Sequence, residues 1–443
     1  MYRLKLLAAI ATLLIATGAF AQNAATDWNA IALQVIVNAP CTTSTPPCPN
    51  PLSRPGPTGL LDTAMVQAAV YDAVESITRN FRPYHVRVPG ATGSTSAAVA
   101  KATHDVLVSR LGSAAVIAFL DAKYHDYLAT HGIAEDDPGV AVGAAAAAGI
   151  IAVRTGDGSF PNNPPAFTGG TNPGEWRPTP PAFASMLAPW LAHVTPFTLS
   201  SPSQFRPVAP PPLSSKRYAV DYNEVKAMGR ATGSSRNAEQ TSMALFFNAN
   251  YIVLWNQTVQ KIATAQALNI DDSARLFALV NLAMSDAVIT AWDSKLHFAF
   301  WRPLTAIQNG DNDGNPDTVG DPGWLPLIVN PAYPDYTSGA NNVTAAATRS
   351  LALFFGSDQM SFTVRTTNTA ALPPQEQERH YNRFSDVAAD VVNGRIYEGI
   401  HFRSADVQAR KQGRHVAQWV FGHFLRPVDD DEQDEHADEG DAE

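Results

Sequence analysis

A mostly α fold, assembled from helical bundles, is predicted by three features of this 443-residue chain. Apolar residues recur near every 3.6 positions through most of its length, signals for alternating strands are sparse, and 45% hydrophobic against 16% charged residues is ample for a large core. No solenoid-like repeat interrupts that pattern.

Taken in order, the chain opens on Arg3 and Lys5, an apolar run from Leu6 to Ala16 and the small-residue pattern Ala19-Phe20-Ala21. This predicts an export signal over 1–21 and a mature chain starting near Gln22, periplasmic or secreted. The run is short for a membrane span, and no later stretch reaches about 18 uninterrupted apolar residues, so no span is expected. Residues 22–62 read as an irregular arm with one short helix at Trp28 to Val37. Within that arm Cys41 and Cys48 flank a Thr/Pro-rich stretch and would form a local disulfide in an oxidising compartment. Helices at Thr63 to Ile77, Thr95 to Leu111, Ala114 to His131 and Val140 to Thr155 make a first bundle over 63–156, in which the alanines 144–148 imply close helix approach. The proline-rich stretch 157–217 reads as a wrapping connection at a pocket rim. A second bundle over 218–427 is expected from Tyr218 to Thr232, Asn237 to Ala263, Asp272 to Phe300, Asn342 to Phe355, Pro374 to Asn393 and Ser404 to Leu425. The net charge of −10 resides in Asp429 to Glu443, whose ten carboxylates leave 31 acidic against 31 basic residues elsewhere. The stretch 428–443 reads as a solvated acidic tail. No basic tract or aromatic platform points to nucleic acid.

The second bundle carries three motifs suited to a tetrahedral oxyanion. In Lys295-Leu-His-Phe-Ala-Phe-Trp-Arg302-Pro303, seven helical residues turn through about 700° and return both cations to one face, with Pro303 leaving Arg302 at a helix end. Arginine's planar fork matches paired oxyanion oxygens. In Thr337-Ser338-Gly339-Ala340-Asn341-Asn342, Ser338 offers a hydroxyl and Gly339 a close backbone approach, at the start of a helix whose first N–H groups lack partners. In Gly394-Arg395-Ile-Tyr-Glu-Gly399-Ile-His401, an offset of about 600° separates Arg395 from His401 on a straight helix, so a bend near Gly399 is expected.

These three motifs, in this order, resemble the signature of the vanadium-dependent haloperoxidases and the type 2 phosphatidic acid phosphatase superfamily, and Trp28 to Leu33, Ala64 to Ile77 and Ala97 to Leu111 resemble the amino-terminal helices of bacterial haloperoxidase-like proteins. The resemblance implies a four-helix-bundle core around vanadate, with Lys295, Arg302, Ser338, Gly339 and Arg395 holding the oxygens and His401 as axial vanadium ligand. It implies hydrogen peroxide and halide as reactants, and homodimers are plausible on the same ground. In the related phosphatases phosphate occupies the site, His401 is the nucleophile that forms a phosphohistidine, and the substrate is a small phosphate ester. The family's second motif reads Pro-Ser-Gly-His, and this chain has Ala340 where the general acid-base histidine stands. Impaired catalysis, or a non-catalytic oxyanion-binding protein, is the alternative this raises.

Other features carry weaker readings. His297 lies about 200° around a helix from Lys295 and is expected to face away from the anion. Asp406 either fixes the tautomer of His401 or is a surface acid, and Asn341 is a second candidate supporting group that donates hydrogen bonds but shuttles no protons. Asp311-Asn-Asp313-Gly-Asn315-Pro-Asp317 resembles the start of a calcium loop, yet Pro322 occupies the place of the bidentate Glu, which favours a turn-rich loop. Trp255, Trp292, Trp301 and Trp324 either line a pocket or pack in the core.

Overall fold

The computed structural model describes residues 23–37, 54 and 56–428. The export signal, the Cys41–Cys48 pair and the acidic residues from Asp429 onward lie outside the described residues.

Thirteen α-helices and one two-stranded hairpin make up the regular structure among the described residues. The first five are α1 (Ala24–Val37), α2 (Gly59–Thr78), α3 (Thr95–Leu111), α4 (Ala114–Thr130) and α5 (Pro138–Val153). Their starts follow cap chemistry: Ser94, Ser113 and Asp137 each accept a hydrogen bond from an N–H in the first turn, and Pro138 sits where no N–H is needed. α1 and α2 begin four residues earlier than their apolar spacing indicates. Ala24 and Ala25 are small but buried, and Asn23 anchors the entry by donating to Leu268 O and Ser273 Oγ.

The second set comprises α6 (Lys216–Met228), α7 (Ala238–Phe247), α8 (Tyr251–Ala265), α9 (Ile270–Phe298), α10 (Pro303–Gln308), α11 (Gly339–Phe354), α12 (Phe384–Glu398) and α13 (Arg403–His423). The helix expected over Asn237 to Ala263 is two helices. Asn248 closes one and Asn250 caps the next, its side chain accepting from Ile252 N and Val253 N while its own N–H donates to Thr367 Oγ1. The helix expected over Pro374 to Asn393 is also corrected: Glu378–Arg383 is a strand, β2, paired antiparallel with β1 (Gln359–Arg365), and α12 begins only at Phe384. Cross-strand packing of Phe362 on Tyr381, with Phe384 against Phe362, overrides the weak helical pattern.

The core of the second set is a four-helix arrangement in which α11 packs on α9, α12 and α13, and α13 packs on α9 and α12. α2 lies against α9 as well as against α3 and α5, so one apolar core continues from the first bundle into the second. α9 is long and apolar enough to cross a bilayer, but 94% of its apolar window is buried inside the protein.

The stretch 157–217 contains no α-helix before α6 and straps the site-bearing elements in place. Asp286 of α9 accepts from Phe197 N and Thr198 N, and Arg206 forms a bidentate pair with Asp293 at 2.7 and 2.6 Å. Trp176 N donates to Ala299 O and Trp301 N to Gly174 O, which clamps the segment just before Arg302. The Asp311–Asp317 loop is turn-rich, Asp313 accepting from Asn315 N and Thr318 Oγ1 and Asn315 from Asp317 N.

Candidate oxyanion site

Lys295 and Arg302 meet, but not on one helix face. α9 stops at Phe298, Ala299 turns left-handed with φ 44°, and Arg302 precedes α10 in extended conformation with Pro303 next. The turn-and-strap geometry brings the two cations together. Both are fully buried and flank the Tyr333 ring, Lys295 Nζ at 4.9 Å and Arg302 Cζ at 4.8 Å from its centroid. Lys295 Nζ donates to Pro334 O at 2.6 Å and Asp335 O at 3.1 Å, leaving one proton for a guest. Arg302 donates from Nε to Tyr333 O and from Nη1 to Ile400 O, while its buried Nη2 has no partner. His297 is exposed, facing away as expected.

Ser338 is the N-cap of α11 with its hydroxyl not used as a cap, and Gly339 opens the helix against Trp292, where a Cβ would lie 3.1 Å from Cζ3. Arg395 closes the last turn of α12. It pairs with Glu398 at 2.6 Å, and its Nε is buried without a partner. The bend expected near Gly399 is present: this residue ends α12 at φ 83°, with Gly229 O 2.4 Å from where a Cβ would be, so only glycine fits. The turn delivers His401, 1% exposed, with Nε2 3.1 Å from Arg302 Nη1.

The carboxyl nearest the His401 ring is Asp335 rather than Asp406. His401 Nδ1 lies 2.7 Å from Asp335 Oδ1, an ion-pair distance whose angle falls short of a good hydrogen bond. Asp406, also fully buried, instead accepts from Asn341 Nδ2 at 2.8 Å, and Asn341 reaches Ser338 Oγ at 3.3 Å. Asp406 and Asn341 therefore support the Ser338-Gly339 turn. Burial, followed by the fields of Arg302, Lys295 and Arg395, pushes the His401 imidazole well below its usual range, so it is neutral. Lys295 is likewise lowered by burial and by Arg302. Burial raises the carboxyls of Asp335 and Glu398 to about 7 against the pull of their cationic neighbours, and holds Asp406 well above the ordinary range. Sequence reading missed Asp335, Glu398 and Tyr333. Asp335 stands two residues before the Thr337–Asn342 motif, but nothing in linear spacing says it meets His401.

A cavity of about 230 Å³ reaches this set at Tyr333, Gly339 and Arg395 and is lined also by Tyr251, Trp292 and Ala340, while Lys295, Arg302, Ser338 and His401 lie behind its lining. Trp292 is thus both core and lining, whereas Trp255, Trp301 and Trp324 are buried in packing.

Comparison with known proteins bears on this constellation. Residues 275–430, which contain every motif residue, match the family described as the VCPO second helical-bundle domain. This part of the chain is similar to the second helical bundle of the vanadium haloperoxidases. A vanadium chloroperoxidase of Curvularia inaequalis is 36% identical over 142 residues, a stretch that spans 26% of this chain and only 23% of that relative. The fold is shared more widely. A crystal structure of a bacterial vanadium-dependent iodoperoxidase superposes with TM-score 0.74 at 24% identity, over 92% of this chain and 97% of its own. An apo bacterial vanadium-dependent chloroperoxidase gives 0.68 at 18% identity, over 85% and 95%.

The donor set fits a vanadate-sized oxyanion. The unpartnered Arg302 Nη2 and Arg395 Nε and the opening turn of α11 are buried donors that await an acceptor, with the Ser338 hydroxyl beside them held by Asn341. The departure at Ala340 is real in space as well as in sequence, since this methyl lines the cavity beside Gly339 and Arg395.

Proposed function

We propose that this chain is an exported vanadium-dependent haloperoxidase-like enzyme, using hydrogen peroxide to oxidise halide. What carries the reading is the meeting of unpartnered arginine donors with a neutral histidine nitrogen at the amino end of a buried helix. Lys295, Arg302, Ser338, Gly339 and Arg395 would hold vanadate oxygens and His401 would hold the vanadium through Nε2. Vanadate, when bound, supplies the Lewis acidity that activates peroxide toward halide. The residues' own part is to bind, orient and screen. Arg302 donates to the His401 Nε2 lone pair while the site holds no guest, which places the ring proton on Nδ1 toward Asp335; that lone pair would turn to the bound group, and the buried cations would polarise its oxygens in a low-dielectric setting. Export rests on the sequence of Met1 to Ala21.

Ala340 favours a slow enzyme, because a positioned acid-base group contributes about 10²- to 10⁴-fold. A soluble acid phosphatase is the second reading, supported by the neutral, cation-flanked His401, which suits attack on phosphorus. Titration with orthovanadate, paired with halide-oxidation and phosphate-ester assays, decides between them. Vanadate-dependent oxidation that disappears in His401→Ala is the expected result, hydrolysis alone selects the phosphatase, and anion binding with neither activity leaves an oxyanion-binding protein. Ala340→His is then expected to raise turnover.

A further inference from the structure

A second cavity, of about 300 Å³, lies between α11, α12 and α13 and shares no lining residue with the first. Four arginines face it: Arg349 from α11, Arg383 from the end of β2, and Arg410 and Arg414 from α13. Arg349 lies ten residues along α11 from Gly339, about 15 Å at the helical rise, so this is a separate place in the molecule.

The charges around the cavity do not balance. Asp358 is its one lining carboxylate. It is fully engaged, accepting from Ser385 N at 2.9 Å and Ser385 Oγ at 2.6 Å, where it starts α12, and from Arg383 Nε at 3.1 Å. Arg410 donates only to the Ser385 carbonyl, at 3.2 Å. Arg349 and Arg414 have no hydrogen bond or ion pair among the described residues, and the Nε of Arg349 is buried without a partner. Asp386 is exposed and pairs with none of them. Burial and then the field of Arg414 lower the Arg410 guanidinium, against the smaller opposing fields of Asp358 and Asp386, so the four arginines outnumber the carboxylates near them. Small side chains of α11 and α12 form the floor, leaving the guanidinium forks as its hydrogen-bonding walls.

We propose that this arginine-lined cavity is a second oxyanion site, taking a doubly charged tetrahedral group such as phosphate or sulfate. Planar forks from three elements match the paired oxygens of such a group, and a neutral or cationic guest would leave the repulsion among them uncompensated. The proposal is independent of the reaction assigned to the first site.

Sulfate is the probe, because it is not hydrolysed and keeps its charge. Equilibrium dialysis of the full chain with labelled sulfate is expected to give two sulfates per chain, one of which is lost in Arg349→Gln/Arg414→Gln while the vanadate-competed one stays. Should that variant unfold, the charge-preserving Arg349→Lys/Arg414→Lys is expected to weaken the same sulfate at least about tenfold, since the forks are lost and the charge is not. Inorganic phosphate is expected to compete at both sites. Dextran sulfate distinguishes a group carried on a larger molecule: tighter, arginine-dependent binding than free sulfate indicates a carried group, and equal binding per sulfate a free ion. A single sulfate fully competed by vanadate, or polymer binding without any second saturable sulfate, overturns the proposal.

Discussion

At His401 the decisive neighbour is a carboxylate from another motif. The ring accepts from Arg302 at Nε2 and presents Nδ1 to Asp335 at 2.7 Å, so the nitrogen facing the cations is the one with the lone pair. Asp335→Asn keeps the shape but removes the charge that orients the ring. Loss of such a supporting group is expected to weaken vanadate binding by about 10- to 100-fold. Asp406→Asn disturbs Ser338 through Asn341 and is expected to cost less, because the ring itself is untouched. Vanadate titration of the two variants checks the order, and a larger loss for Asp406→Asn would return the orienting role to that residue.

Among the elements, α2 and α9 are joined by a carboxyl pair that neither helix pattern reveals. Glu75 accepts from Phe81 N and sits beside Asp271, which accepts from Thr78 Oγ1 and Asn80 Nδ2. Burial, and then the hydrogen bond with Asp271, push Glu75 up to about 9. The folded state therefore holds a proton that the unfolded chain, with its ordinary carboxyl, releases from about pH 4.5 upward. Stability associated with this group is full below that pH and is lost as pH rises toward about 9. Glu75→Gln removes the titration, so its Tm is expected to fall less than the wild-type Tm between acid and alkaline buffer; parallel curves would refute the assignment. The hairpin β1–β2 and the break at Asn250 also belong to this scale. Both were opaque in sequence because they depend on partners far along the chain, Phe362 with Tyr381 in one case and Thr367 in the other.

Across the whole molecule, the oxyanion site sets three cations, Lys295, Arg302 and Arg395, among three buried carboxyls, Asp335, Glu398 and Asp406. Below about pH 7 Asp335 and Glu398 are protonated and leave the cations uncompensated; above it these carboxyls ionise and offset the cations. Affinity for a dianion of fixed charge, such as sulfate, is expected to be higher on the acid side of neutrality and to fall through about pH 7, with proton uptake on binding. Calorimetry in buffers of different ionisation enthalpy measures that uptake, and proton release would refute the charge assignment.

The mostly α class, most helix positions, the anion-binding residue types and the need for a bend at Gly399 were legible in the chain itself. Helical periodicity, the glycine and the cationic motifs are local chemistry, governed by residues a few positions apart. What tertiary structure alone decided was how those residues meet. Lys295 and Arg302 converge through a left-handed turn clamped by Gly174 and Trp176 rather than by helical phase, and Asp335 rather than Asp406 faces His401. The arginine-lined cavity arises in the same way from three elements. Such meetings are set by the packing of a shared core, where burial fixes distances and protonation that no spacing in one dimension encodes.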